Sequence, residues 1–119
     1  MKTGDVFHLP DFAGGHHNFV LEVCADGAVI TCNFTDCLYH SDWTCTVEVG
    51  EHSCITKKSV VNYRQAIYYE PGTAVEALER LIESRKEPLS PELLARIRKG
   101  ALDSPRTSDK IKNALKVKG

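Results

Sequence analysis

A chain of 119 residues, 42% hydrophobic and 26% charged, is long enough for one packed core and too short for two of ordinary size, and its composition excludes disordered and fibrous classes. No apolar run approaches the roughly 20 residues that span a bilayer, and Met1-Lys2-Thr3-Gly4-Asp5 lacks the apolar core of a secretory signal, so the expectation is a cytoplasmic protein with no membrane partner. Up to Glu70 there are four Lys/Arg against nine Asp/Glu, a net of −5, and from Pro71 eleven against seven, a net of +4, so the total of −1 joins an acidic body to a basic extension.

Residues 1–70 read as strands. Asp5 to Leu9 alternates polar and apolar residues and stops at Pro10. Phe19-Val20-Leu21-Glu22-Val23 and Ala28 to Phe34 are β-rich runs separated by Asp26-Gly27, a strong short-range hairpin signal. Thr44 to Val49 alternates again and ends at Gly50, and Val60 to Tyr63 and Ala66 to Tyr69 form one bent strand or two short ones. Short strands with turn signals about ten residues apart suggest a small antiparallel barrel or sandwich.

Residues 71–119 change to helical period. Thr73 and Glu76 fit a capping box, and Val75, Leu78, Leu81 and Ile82 fall on one face. Ser90-Pro91 starts a second helix with Leu93, Leu94 and Ile97 on its apolar side and Gly100 as its stop. Asp109 to Val117 forms a short third helix with Ile111, Ala114 and Leu115 on one side. The helices are expected to pack on the barrel as an extension of a single domain.

Four groups of residues bear on chemistry. The five cysteines lie between Cys24 and Cys54, with CxxH spacing at Cys37 and His40 and with Cys45, His52 and Cys54 beyond. A structural zinc site normally pairs two close couples, and only one is present, so buried free thiols are preferred to a metal site and no cofactor is expected. Gly14-Gly15 delivers His16 and His17 to the start of a strand, where an imidazole can act as acid or base near neutral pH, or cover a polar edge. Asn33-Phe34-Thr35-Asp36 ends a strand in groups that suit either a phosphate site or an Asx turn. Lys57-Lys58-Ser59, with Tyr63 and Arg64 beyond, is the basic cluster of an acidic body and fits a phosphate rim or a surface turn. Trp43 is read as a cap on the barrel core in preference to a base contact.

The order of these pieces resembles the MazF/PemK family of small toxin barrels. Gly4-Asp5-Val6-Phe7 resembles its opening, Gly14 to Leu21 its loop and second strand, and Val29 to Asp36 its strand ending in polar residues. Thr46 to Val49 and Ser59 to Tyr63 resemble its last strands, so the likeness covers roughly residues 4–70. It implies an α+β, mainly β fold: an antiparallel, Src-homology-3-like barrel followed by C-terminal helices. It also implies a metal-independent endoribonuclease of a toxin–antitoxin system, dimeric, cutting single-stranded RNA and neutralised by an antitoxin. His17 would be the general acid or base, with Thr35 and Asp36 positioning the scissile phosphate. Lys57 or Lys58 would stabilise its charge, and His16, Asn33, Tyr63 and Arg64 would complete the substrate rim. The chain departs from the family in having His17-Asn18 where Arg-Pro is usual, a short loop after the first strand, an acidic body and longer C-terminal helices. The alternative is a non-catalytic barrel that binds a protein or nucleic-acid partner through its basic helices.

Overall fold

Asp26-Gly27 turns the chain as a hairpin should: Gly27 adopts φ +93°, the Asp26 carboxylate accepts from the Ala28 amide, and Cys24 and Ala28 close the loop at 2.8 Å. The turn joins β2 (His17–Val23) to β3 (Val29–Asp36). The computed structural model describes residues 1–10, 17–39 and 42–117. Before the hairpin comes β1 (Val6–His8), and after it β4 (Thr46–Val47), β5 (Ser59–Val61), β6 (Ile67–Tyr69), α1 (Thr73–Leu81), β7 (Ser84–Lys86), α2 (Pro91–Asp103) and α3 (Asp109–Val117).

Every strand pairing is antiparallel, and the order is β4-β5-β3-β2-β1-β7. β3 is eight residues long and serves two partners on one edge, β6 at Val29 to Thr31 and β5 at Phe34 to Asp36. The 3-10 turn Tyr63–Gln65 separates them, so the two-strand reading of residues 60–69 is the observed one. β2 bulges at Leu21, where the register slips between Val20 and Glu22. The Leu21 carbonyl accepts from Arg98 of α2 at 3.2 Å, and the same guanidinium lies 3.3 Å from the buried Glu22 carboxylate.

Strand alternation sends side chains into two apolar layers. Val6, Phe19, Leu21, Ile30, Cys32, Phe34 and Val61 meet Leu93, Ile97, Ala101, Ile111 and Leu115 of α2 and α3 on one face. Phe7, Val20 and Val29 meet Leu78 of α1 on the other. Both faces of β2 are therefore covered, which explains a run of five consecutive buried residues in it.

The closed barrel expected from strand spacing is not formed; the sheet is open. α2 crosses from the start of β1, next to the β7 margin, where the Leu89 amide donates to Gly4 just before the helix, to the β4 margin, where Arg96 donates to the Thr46 carbonyl at 2.9 Å. Its apolar side fills the space that closure would need. Leu93 and Ile97 are fully buried there, each contributing about 1.5–3 kcal/mol. The margins are joined by side chains: His52 Nε2 donates to the Glu87 carbonyl at 2.7 Å, and Ser53 Oγ donates to its carboxylate at 2.7 Å.

Two further expectations, both about helix ends, are corrected. Gly72, at φ +91°, is the N-cap of α1 in place of Thr73, and no side chain caps that end. Ser90 does cap α2, accepting from the Leu93 amide at 3.2 Å. Gly100 does not stop that helix but lies inside it, beneath the Tyr63 ring, whose hydroxyl donates to the Ile97 carbonyl at 2.8 Å.

A Cβ at Gly100 would overlap the Tyr63 hydroxyl and lie 3.1 Å from the Cys45 Cβ. Gly100→Ala is therefore expected to lower Tm by several degrees, because overpacking of about 1–3 kcal/mol outweighs the roughly 1 kcal/mol gain in helix propensity. Tyr63→Phe in the same chain should recover part of that loss. Strict additivity of the two changes in thermal unfolding would contradict this packing.

Candidate functional site

β1 and β2 pair His8 with His17, and the imidazoles meet edge to face with centroids 5.2 Å apart. They form one wall of a cleft of about 340 Å³. His8 Nδ1 stands 3.6 Å from the Glu83 carboxylate, and the Glu83 amide donates to the His8 carbonyl at 3.0 Å. The segment entering β7 thus orients that ring. Partial burial of His17, aided by the nearby His8, Lys86 and His52, holds its pKa below 6.5, so the ring is largely neutral at pH 7.

The facing wall is the end of β3. Thr35 and Asp36 point to the cleft with Lys57 and Ser59, which precede and begin β5. Asp36 accepts from the Leu38 amide at 2.9 Å and from Lys57 Nζ at 2.9 Å, and these bonds, the amide first, keep its pKa below the usual carboxylate value. Asn33-Phe34-Thr35-Asp36 is therefore both an Asx turn and a cleft wall. Cys54 and Ile55 form the floor. Burial pushes the Cys54 thiol up to about 11, so it is not a thiolate nucleophile at neutral pH.

The structure brings His17, Thr35, Asp36 and Lys57 to one cleft. Four other candidates lie elsewhere. Asn33 is a buried strand residue whose carbonyl accepts from the Asn62 amide at 2.9 Å. Tyr63 is 1% exposed and tied to α2, so it is a core residue and not a substrate contact. Arg64 is exposed in the 3-10 turn, outside the cleft lining. Lys58 turns away to Glu48 at 3.6 Å and to the Trp43 ring at 5.3 Å. His16, the Gly14-Gly15 turn and His40 of the CxxH spacing lie outside the described residues. Among the described residues no three His, Cys, Asp or Glu side chains are grouped as a metal site. Cys32, Cys37 and Cys45 are buried, and burial pushes the Cys32 thiol up to about 12.

His8 was missed by sequence reasoning. The alternation of Asp5 to Leu9 marks a strand, but which residue faces His17 depends on the β1–β2 register. A larger cleft of about 540 Å³ lies between β4 and α2. Its charges neutralise one another, Arg96 with Glu51 at 2.7 and 2.9 Å and Lys99 with Asp103 at 2.7 Å. The Arg96 bond holds Glu51 down to about 2. That cleft is a docking seam for α2, and the smaller one holds the acid–base groups. Compared with protein-family models and with curated proteins, the chain finds no match.

The His17 environment has a measurable consequence. Its folded pKa is depressed, so the unfolded chain binds more protons between the folded value and 6.5. This contribution to stability is complete above 6.5 and falls as pH drops through that window. An NMR titration should place His17 below 6.5, and His8→Ala should raise it; a His17 pKa at or above 6.5 in the wild-type chain would contradict the cleft electrostatics.

Proposed function

We propose that this chain is a toxin-like endoribonuclease that cleaves single-stranded RNA by acid–base catalysis in the histidine cleft. The observation that carries the reading is a neutral-leaning His17, paired with His8, across a 340 Å³ cleft from Thr35, Asp36 and Lys57. In this reading His17 takes the proton from a ribose 2′-hydroxyl. The alkoxide attacks the adjacent phosphorus, and the bond to the 5′-oxygen breaks. His8 supplies the proton that the 5′-oxygen needs, leaving a 2′,3′-cyclic phosphate and a 5′-hydroxyl. Lys57 stabilises the extra charge on the phosphoryl oxygens, Thr35 holds one of them, and Asp36 positions Lys57. An unpaired strand is the fitting substrate because its backbone can reach in-line geometry. The MazF/PemK resemblance supports the same reading and adds a protein antitoxin and a homodimeric active form to the proposal.

A non-catalytic binding module is the second reading. It is favoured by the 2.9 Å Asp36–Lys57 pair, which a phosphate must loosen, and by the net −5 of residues 1–70.

Purified full-length protein is expected to cut a mixed single-stranded RNA pool to fragments ending in 2′,3′-cyclic phosphate, identified by mass spectrometry. His17→Ala should lose about 10²–10⁴-fold in rate with an unchanged circular dichroism spectrum. The wild-type rate should rise with pH on an acid limb below 6.5. Absence of cleavage by the wild-type chain, or undiminished cleavage by the variant, overturns the catalytic reading.

A further inference from the structure

The second lysine of the basic cluster does not serve the histidine cleft. Lys58 lies over the Trp43 ring, and Trp43, 51% exposed, is no cap on the core. Lys57 reaches the cleft but pairs with Asp36 at 2.9 Å, so those two charges largely cancel. A polyanion needs a further cation within reach of the cleft, and β7 supplies one.

The register of β7 fixes which of its residues shares a face with the histidines. Val6 pairs with Lys86, Phe7 with Arg85 and His8 with Ser84. Side chains alternate along a strand and paired residues share a face, so Lys86 stands on the face of Val6 and His8. His8 pairs with His17, and Lys86 is therefore on the cleft side of the sheet. Arg85 stands on the opposite face, 3.7 Å from Asp5. Lys86 is exposed, and neighbouring carboxylates are engaged elsewhere: Glu83 faces His8 at 3.6 Å, and Glu87 accepts from Ser53 at 2.7 Å. Among the described residues Lys86 makes no ion pair. Its charge acts on two residues that line the cleft. After burial and His8, it helps to hold His17 below 6.5, and it opposes the burial that pushes the Cys54 thiol up to about 11.

We infer that Lys86 binds the phosphate that follows the scissile one, so that the preferred substrate is a strand with a phosphate on the 3′ side of the nucleotide it releases. The place of the scissile bond rests on the ribonuclease reading above; the anion site itself does not. In that reading His8 serves the 5′-oxygen, which belongs to the downstream nucleotide. β7 lies beyond β1, whereas Lys57 lies across the cleft from the histidines. The downstream nucleotide therefore leaves over β1, and its own 3′-phosphate arrives at Lys86. Cations on opposite sides of the histidine pair fix the polarity of the strand and carry no information about its bases.

The test uses the full-length protein and 2′-O-methyl diuridine, which has one internal phosphate and cannot be cleaved, with or without a 3′-terminal phosphate. By isothermal titration the 3′-phosphate should tighten binding about 3- to 10-fold, a gain between that of an exposed ion pair and that of a charge-assisted hydrogen bond. A 5′-terminal phosphate in its place should tighten binding by less than about twofold. Lys86→Ala should lose the 3′-phosphate gain and Lys86→Arg should restore it. Arg85→Ala, which removes a cation from the opposite face, should keep it. With a cleavable strand, Lys86→Ala should raise KM by the same factor and change kcat by less than about twofold. Equal binding of the two dinucleotides by the wild-type chain, a larger gain from the 5′-phosphate, a gain that survives Lys86→Ala, or one that Arg85→Ala also removes overturns the inference. A gain lost in Lys86→Ala by a protein that cuts no RNA supports the anion site and sinks the ribonuclease reading. Cleavage of RNA with no gain from the 3′-phosphate does the reverse.

Discussion

The hydrogen bond from Tyr63 to the Ile97 carbonyl, made over the bare backbone of Gly100, is the contact on which the arrangement of this protein turns. It brings a helix to within touching distance of the chain that links β5 to β6, and it does so at a position where any side chain would hold the two apart. Once α2 lies there, its N-terminal end meets the start of β1, next to the β7 margin, and its middle meets β4. The sheet then has no room to close. The Leu21 bulge completes the fit, turning a strand carbonyl toward Arg98, whose guanidinium balances the buried Glu22. A buried carboxylate without such a partner would be costly to keep charged. Helix and sheet are thus locked by polar contacts at Arg96, Ile97 and Arg98 of α2.

The open sheet and the cleft have a common origin. Because backbone pairing does not close the sheet, the loop between β4 and β5 does the joining, through His52 and Ser53 to Glu87. The residues just after that link, Cys54 and Ile55, form the cleft floor beside His17, whose partial burial is the main cause of its lowered pKa. The His52 ring uses both nitrogens, Nδ1 accepting from the Cys54 amide at 3.0 Å while Nε2 donates to Glu87. That pattern fixes the tautomer and with it the position of the floor. Margin and site are therefore one structural unit.

Much of this was legible in the chain itself. The Asp26-Gly27 hairpin, the start of α2 at Pro91 and the span of α3 follow from local chemistry that tertiary contacts do not override, whereas the sequence left one bent strand or two short ones open over residues 60–69. Closure was misread because strand spacing says nothing about which element covers a margin. β7 was missed because Ser84, Arg85 and Lys86 are all exposed and carry no alternating apolar signal. Gly100 was misread because a glycine that ends a helix and one that admits a tyrosine look alike in sequence. In the site, His17, Thr35, Asp36 and Lys57 were recognisable as chemical groups at strand ends. His8 and the outward turn of Lys58 depend on register and on face, which only the assembled sheet determines.

The strands that end the sheet are short. β4 has two residues and gives way to a turn with Gly50 at φ +98°, while β7 and the side strand β6 have three each. β7 also presents arginine and lysine to water. A strand of another molecule seeking to extend this sheet finds few unpaired backbone groups in a row and a cationic fringe beside them. Fibrillar growth by edge addition has almost no foothold, although seven strands lie in one open layer. The described edges of this unclosed sheet thus lack the long bare backbone that invites pairing with another chain.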